Sequence, residues 1–211
     1  WGFINTAGEP VIPIQFDDAS SFSEGLAAVK QDRKWGFINT AGEPVIPIQF
    51  DFAWFFSEGL AAVEQDWKSG FINTAGEPVI PIQFDDAWFF SEGLARVEQN
   101  GKWGFINTAG EPVIPVQFDD VQYSFSEGLA RVGQDGKWGF INTAGEPVIP
   151  IQFDDVDYYF SEGLAGVKQN GKWGFVNTSG QIVIEPQYDD FRPFFNGLAD
   201  VIKNGKEFYI D

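Results

Sequence analysis

The sequence predicts an all-β chain of tandem three-stranded β-meander repeats, arranged as an open solenoid or superhelix in preference to a closed β-propeller. Two observations carry the β-repeat class. A Trp-Gly-Phe-Ile-Asn motif begins at Trp1 and Trp35, is altered at Ser69, returns at Trp103 and Trp138, and recurs as Trp173-Gly174-Phe175-Val176-Asn177. Between these motifs lie short alternating runs punctuated by Gly, Pro and Asn-Gly turn signals, with no room for a full helix. The units are 1–34, 35–68, 69–102, 103–137, 138–172 and 173–206, with a closing strand at 207–211.

The opening run Trp103–Asn107 alternates, with Trp103, Phe105 and Asn107 on one face. Gly104, bare between bulky neighbours, allows a backbone or an aromatic ring to lie close across the strand. Thr108-Ala109-Gly110 suits a three-residue hairpin connection with Gly in the left-handed conformation. The next run, Glu111–Gln117, contains Pro112 and Pro115, which cannot donate ladder bonds, so it is expected at a sheet edge or bonded on one side only near those residues. The third run, Leu94–Gln99, has two distinguishable phases. Ala95 and Val97 stay small and apolar in every copy and point to the core. Arg96 is replaced elsewhere by Ala28, Ala62, Arg131, Gly166 and Asp200, a variability that points to solvent. Asn100-Gly101 supplies a tight hairpin turn, and Asp32-Arg33 and Asp66-Trp67 break that pattern, which predicts looser turns there.

The stretch Phe118–Gly128 lacks clean alternation and reads as a loop anchored by Phe125. The unit spacing changes from 34 to 35 when the fourth unit gains a residue between Asp120 and Phe125. An insertion within a paired strand would flip every later side chain, so it is assigned to this loop. Three strands in each of six units cannot form one open sheet, because open sheets rarely exceed ~10 strands. Units of 34–35 residues are short for four-stranded propeller blades, and a seventh opening strand is surplus to a six-unit ring.

Composition narrows the function. The 211 residues include eight Trp, five Tyr and 23 Phe, with no Cys, His or Met. Thiolate and imidazole chemistry, disulfides and nitrogen- or sulfur-ligated metals are therefore excluded. A formal net charge of -18 opposes nucleic acid and anionic lipid, and no apolar run approaches the ~20 residues of a membrane span. The absence of Cys, and a first residue that is no initiator, place an extracellular or cell-envelope location ahead of a cytoplasmic one.

Lys102-Trp103-Gly104-Phe105-Ile106, Val113-Ile114-Pro115, Phe118-Asp119-Asp120 and Phe125-Ser126-Glu127-Gly128-Leu129-Ala130 together resemble the WG-repeat family across essentially the whole chain. That resemblance implies a modular all-β scaffold, mainly bacterial, with no shared catalytic residues. The departures are Ser69, Phe52 in place of a second Asp, and the loss of Trp and Gly after Lys206.

The expected function is a non-catalytic scaffold making multivalent contacts with a protein or surface. Its candidate face comprises Trp54, Phe55, Trp88, Phe89, Gln122, Tyr123, Asp157 and Tyr158. Carbohydrate recognition by the loop aromatics and end-to-end self-assembly into a filament are the alternatives. The Trp at each unit start is assigned to packing. Trp67, two residues before Ser69, is a candidate to fill the space of the missing Trp. The pairs Asp17-Asp18, Asp85-Asp86, Asp119-Asp120, Asp154-Asp155 and Asp189-Asp190 offer a Ca²⁺ alternative, but an adjacent pair supplies too few oxygens for such a site. The assigned role for the first Asp is a turn brace and for the second a solvated charge. No other cofactor is expected.

Self-repulsion at this net charge predicts that the melting temperature rises between dilute buffer and physiological salt. An unchanged or lower melting temperature in thermal scans would contradict it.

Overall fold

The computed structural model describes all residues from Trp1 to Asp211, and its regular elements are strands joined by turns. Contacts divide the chain into two compact units, Trp1–Val116 and Gln117–Asp211.

In the first unit, β1 (Phe3–Ile4) and β2 (Pro10–Ile12) form a two-stranded sheet. A four-stranded sheet comes next, with β3 (Asp18–Ala19), β4 (Leu26–Gln31), β5 (Lys34–Asn39) and β6 (Pro44–Phe50) in sequential order. Its neighbour contains β7 (Phe52–Ala53), β8 (Leu60–Gln65), β9 (Lys68–Asn73) and β10 (Pro78–Phe84). A third is built from β11 (Asp86–Ala87), β12 (Leu94–Gln99), β13 (Lys102–Asn107) and β14 (Pro112–Phe118), the strand in which the division between units falls.

The second unit repeats the scheme. Its first sheet holds β15 (Asp120–Ser126), β16 (Leu129–Gln134), β17 (Lys137–Asn142) and β18 (Pro147–Phe153). Another holds β19 (Asp155–Val156), β20 (Leu164–Gln169), β21 (Lys172–Asn177) and β22 (Ile182–Tyr188). The last has three strands, β23 (Asp190–Phe191), β24 (Ala199–Lys203) and β25 (Lys206–Ile210).

The expected three-stranded meander is thus corrected to four strands. The missing member is the short strand after the Phe-Asp motif, whose two residues in every repeat but the fourth are too few to show alternation. The longer strands β4 and β5 pair without interruption from Leu26↔Asn39 to Gln31↔Lys34. The proline-bearing strands β6, β10, β14, β18 and β22 all lie at sheet edges, as their missing donors require.

The Trp-Gly glycine has a steric origin. On β5 and β6, Trp35 pairs with Phe50 and Phe37 with Ile46, so two residues of one strand span four of the other. The bulge containing Pro47 bows over Gly36, where an added Cβ would lie 2.7 Å from both Ile46 O and Ile48 N. Gly104 meets the same obstacle at Ile114 O and Val116 N, each 2.7 Å away. Only glycine lets the two backbones approach this closely.

Both faces of each interior sheet are packed. Ala61 and Val63 of β8 join Phe37, Ile46 and Phe56 in one cluster, while Leu60 and Ala62 join Phe71, Phe90 and Val97 in the next. This corrects the assignment of Arg96 to solvent: Ala28 and Ala62 on the same face are 0% and 1% exposed, and Arg96 is 5% exposed. Arg96 can be buried there because its guanidinium lies 3.6 Å from the Trp88 ring centroid and 4.9 Å from that of Trp103. Desolvated stacking of this kind is worth about 2 kcal/mol. The opposite phase, Ala95 and Val97, is fully buried as expected.

Three further expectations change. The inserted residue of the fourth unit lies within a strand: β15 continues to Ser126, its register shifts between Gln122 and Ser126, and Tyr123 takes a φ of 64°. A β-bulge absorbs the insertion and keeps the later side chains on their proper faces. The turns at Asp32-Arg33 and Asp66-Trp67 are not differently shaped; their φ values of 51° and 68°, and 52° and 62°, parallel the 55° and 74° of Asn100-Gly101. The ladder on either side dictates the geometry, and these side chains bear the strain. Trp67 consequently points outward, 86% exposed, and does not fill the place left by Ser69. Phe52, Trp54 and Ala62 close around Ser69 instead, leaving a void of about 10 Å³.

The unit-start Trp residues are otherwise packed or half-packed, with Trp35 8% exposed. Trp1 departs from its expected packing role at 62% exposure, just ahead of β1, which is paired with β2 alone.

Denaturant unfolding should rank these sites. Trp54→Ala is expected to cost about 2 kcal/mol through lost packing, whereas Trp67→Gly should gain about 0.5–1 kcal/mol by relieving the positive φ. The reverse ranking would contradict the packing described.

Candidate aromatic binding surfaces

The Asp pairs serve the backbone. The first Asp of each pair reaches across to the tight hairpin: Asp17 accepts the Asp32 N–H at 3.0 Å, Asp85 that of Asn100 at 2.6 Å, Asp119 that of Asp135 at 2.6 Å and Asp189 that of Asn204 at 2.6 Å. Asp51 and Asp154 make the equivalent contacts to Asp66 and Gly171. Several also hold a lysine, as in Lys68–Asp85 at 2.5 Å, Lys137–Asp154 at 2.6 Å and Lys172–Asp189. The second Asp caps its own next residue, as Asp18 does Ala19, Asp86 Ala87, Asp155 Val156 and Asp190 Phe191. Asp120, the remaining member of the Ca²⁺ alternative, is a half-buried residue at the start of β15. Among the described residues no group of three or more acidic side chains gathers as a metal site.

These contacts set the titration. The Lys172 hydrogen bond, and after it the Asn204 N–H, holds Asp189 below its ordinary carboxylate range, and Lys34, Lys68 and Lys137 act likewise on Asp51, Asp85 and Asp154. Burial pushes Glu64, Glu98 and Asp157 upward.

A second set of contacts joins successive repeats. The Ser57 hydroxyl donates to Phe90 O at 2.8 Å, as Ser23 does to Phe56 O and Ser161 to Phe194 O at 2.7 Å. The neighbouring glutamate accepts a backbone N–H of the next repeat: Glu24 from Gly59 at 3.0 Å, Glu58 from Gly93 at 3.0 Å and Glu162 from Gly197 at 2.9 Å. Sequence reasoning missed this Ser-Glu stitch. Its recurrence directly after a Phe in five units was the available signal.

The proposed interaction residues fall into two groups. In the first unit, Trp54, Phe55, Trp88 and Phe89 are half-buried on successive loops. Trp54 stacks on Trp88 with centroids 4.7 Å apart and a 34° tilt, and Phe55 on Phe89 at 4.7 Å and 35°. Phe52 meets Trp54 edge-on at 5.3 Å. This is a continuous aromatic strip with its outer edges in water.

In the second unit, Gln122, Tyr123 and Tyr158 border a pocket of about 360 Å³, while Asp157 lies beside it, half-buried, its carboxylate accepting the Tyr158 N–H at 2.8 Å. Tyr123, Tyr158 and Tyr159 are 59%, 53% and 57% exposed, and Tyr123 meets Tyr158 edge-on at 5.8 Å. Phe140, Phe160 and Leu129 form the apolar floor. Arg131, absent from the expected set, lies in the wall at 4% exposure, 3.7 Å from the Trp138 ring centroid. It donates to Asp155 at 2.6 Å and to Gln122.

The fold defines an all-β protein built from tandem repeats of short antiparallel sheets. The chain belongs to the WG containing repeat family, whose sequence profile matches residues 1–35, 35–68, 70–103, 103–138, 138–173 and 173–206. No curated protein sequence matches the chain significantly. Among solved structures, it is similar to a eukaryotic initiation factor (15% identity, TM-score 0.60), covering 96% of this chain and 65% of that one. It is also similar to Hsv2p of Kluyveromyces lactis (11% identity, TM-score 0.50), covering 90% of this chain and 71% of that one. These likenesses concern the fold. Both structures are eukaryotic, counter to the mainly bacterial setting expected from the family resemblance. No helix is long and apolar enough to cross a membrane.

The lowered pKa of Asp189 yields a pH prediction. A depressed carboxylate contributes stability above its unfolded value near 3.8 and loses it as pH falls through the folded value. Asp189→Asn should therefore melt below the wild type at neutral pH, with the gap closing under acid conditions. A gap constant from pH 7 down through that range would contradict the assignment.

Proposed function

We propose that the chain is a binding scaffold that docks a partner protein along its aromatic loops. The observation that carries this reading is the strip of Trp54, Phe55, Trp88 and Phe89, large rings held half-buried at the water boundary on consecutive repeats. Rings so placed supply contact area at little entropic cost and dominate binding energy at protein interfaces. Repetition along the array lets weak contacts act together when one partner spans several loops.

The stack speaks against the carbohydrate alternative at this strip. A sugar ring needs an open aromatic face, and Trp54 and Trp88 turn theirs toward each other.

Cross-linking capture by the intact chain, and then binding measurements with each captured protein, tests the reading. Trp54→Ala together with Trp88→Ala should weaken partner binding at least about 30-fold, a loss typical of two interface anchors. Unchanged binding, or glycan-array binding that these substitutions abolish, would overturn it.

A further inference from the structure

We propose that the tyrosine pocket of the second unit is a seat for an arginine side chain from a basic segment of a partner. This deepens the scaffold reading and rests on it for the existence of a protein partner. The pocket exists because the inter-repeat stitch is open there. Elsewhere Ser23, Ser57 and Ser161 are bonded to a phenylalanine carbonyl of the next repeat, and Glu24, Glu58 and Glu162 to its backbone N–H groups. The corresponding Ser126 and Glu127 do not bond to Phe160 and Gly163, and both are exposed and line the pocket. The two repeats flanking this gap are the two of 35 residues, and the bulge at Tyr123 draws Ser126 into β15.

The released groups define the ligand. Glu127 brings a carboxylate that its counterparts spend on the stitch, and three exposed tyrosine rings surround the mouth. A carboxylate beside several aromatic faces selects a cation, since the ring quadrupole attracts positive charge. Among side chains, the planar guanidinium pairs with a carboxylate through two parallel bonds and stacks on tyrosine, which ammonium does not do. Arg131 does not reverse this preference. Its charge is held by Asp155 at 2.6 Å, its guanidinium lies 3.7 Å from the Trp138 ring centroid and 4.9 Å from that of Tyr158, and its remaining Nε is sealed from solvent, so the rings left to an incoming cation are those of Tyr123 and Tyr159 and the other face of Tyr158. Asp157 adds a further acidic group beside Tyr158, and the net charge of -18 steers basic segments toward the chain.

The direct test titrates the full chain with an acetylated and amidated Gly-Arg-Gly peptide, monitored by NMR. Parallel titrations use the citrulline peptide, its neutral isostere, and free glucose. Saturable one-site binding of the arginine peptide is expected, with shifts confined to the pocket residues and citrulline at least about 30-fold weaker. Glu127→Gln should weaken arginine binding at least about tenfold, and Tyr158→Ala should also weaken it, with unchanged spectra elsewhere confirming the fold. Equal binding of citrulline, indifference to Glu127→Gln, absence of arginine binding, or saturation by glucose in its place would overturn the proposal. The two readings fail separately. Partner binding lost on changing Trp54 and Trp88, with no arginine peptide bound, leaves the scaffold and removes the arginine seat. Peptide binding with partner contact insensitive to those tryptophans retains the seat and removes the aromatic strip.

Discussion

Every sheet in this protein is hydrogen-bonded within itself, so what holds one repeat to the next is the contact between sheet faces and the Ser-Glu stitch laid across it. The sheet faces supply the bulk of the energy: Phe56, Phe71 and Phe90 are fully buried and each closes a cluster shared by adjacent sheets. Apolar contact is non-directional, however, and would tolerate sliding. The stitch removes that freedom by tying a hydroxyl and a carboxylate to defined backbone atoms of the neighbour. Each such bond contributes only about 0.5–1.5 kcal/mol net, yet where it forms it runs from one repeat to the next. Much of the acidity has the same use. The first Asp of each pair and the stitch Glu are spent on backbone N–H groups, so a charge that looks like a solvated coat is partly an internal fastening.

How far the sequence discloses this depends on the range over which each signal acts. Period-2 alternation, proline and Asn-Gly are local, and they locate the long strands, the edge strands and the tight turns. The bare glycine after Trp likewise anticipates a close approach, realised by the bulge over Gly36. Arg96 is misplaced by sequence reasoning because variability among repeats resembles exposure. In a sheet packed on both faces, a residue can vary and be buried if its neighbours vary with it, as Trp88 does against Arg96. Trp67 is misplaced because parity along an extended strand does not survive a turn of positive φ. The short strands after Phe-Asp carry too few residues for any pattern, and the stitch spans more than thirty residues, beyond the reach of a local reading.

The candidate surfaces are legible in a particular way. Comparing copies within the chain picks out Trp54, Trp88, Tyr123 and Tyr158 as residues the repeat does not require, and these do border the strip and the pocket. What the comparison cannot supply is the difference between the two places. One is a stack that satisfies its own rings, and the other is a gap between two lengthened loops. In an array of nearly identical units, recognition has to reside in the departures from the repeat, since the shared residues are occupied in holding it together. Ser126 and Glu127 belong to the shared set by sequence and to the departures by structure.

Amide hydrogen exchange resolved at individual glycines tests the stitch most directly. Gly59, Gly93 and Gly197 donate to a glutamate of the preceding repeat and should exchange slowly, whereas Gly163, opposite the open pocket, should exchange at close to the rate of an exposed turn. Equal protection at all four positions would contradict both the fastening role of the Ser-Glu pair and its opening at the pocket.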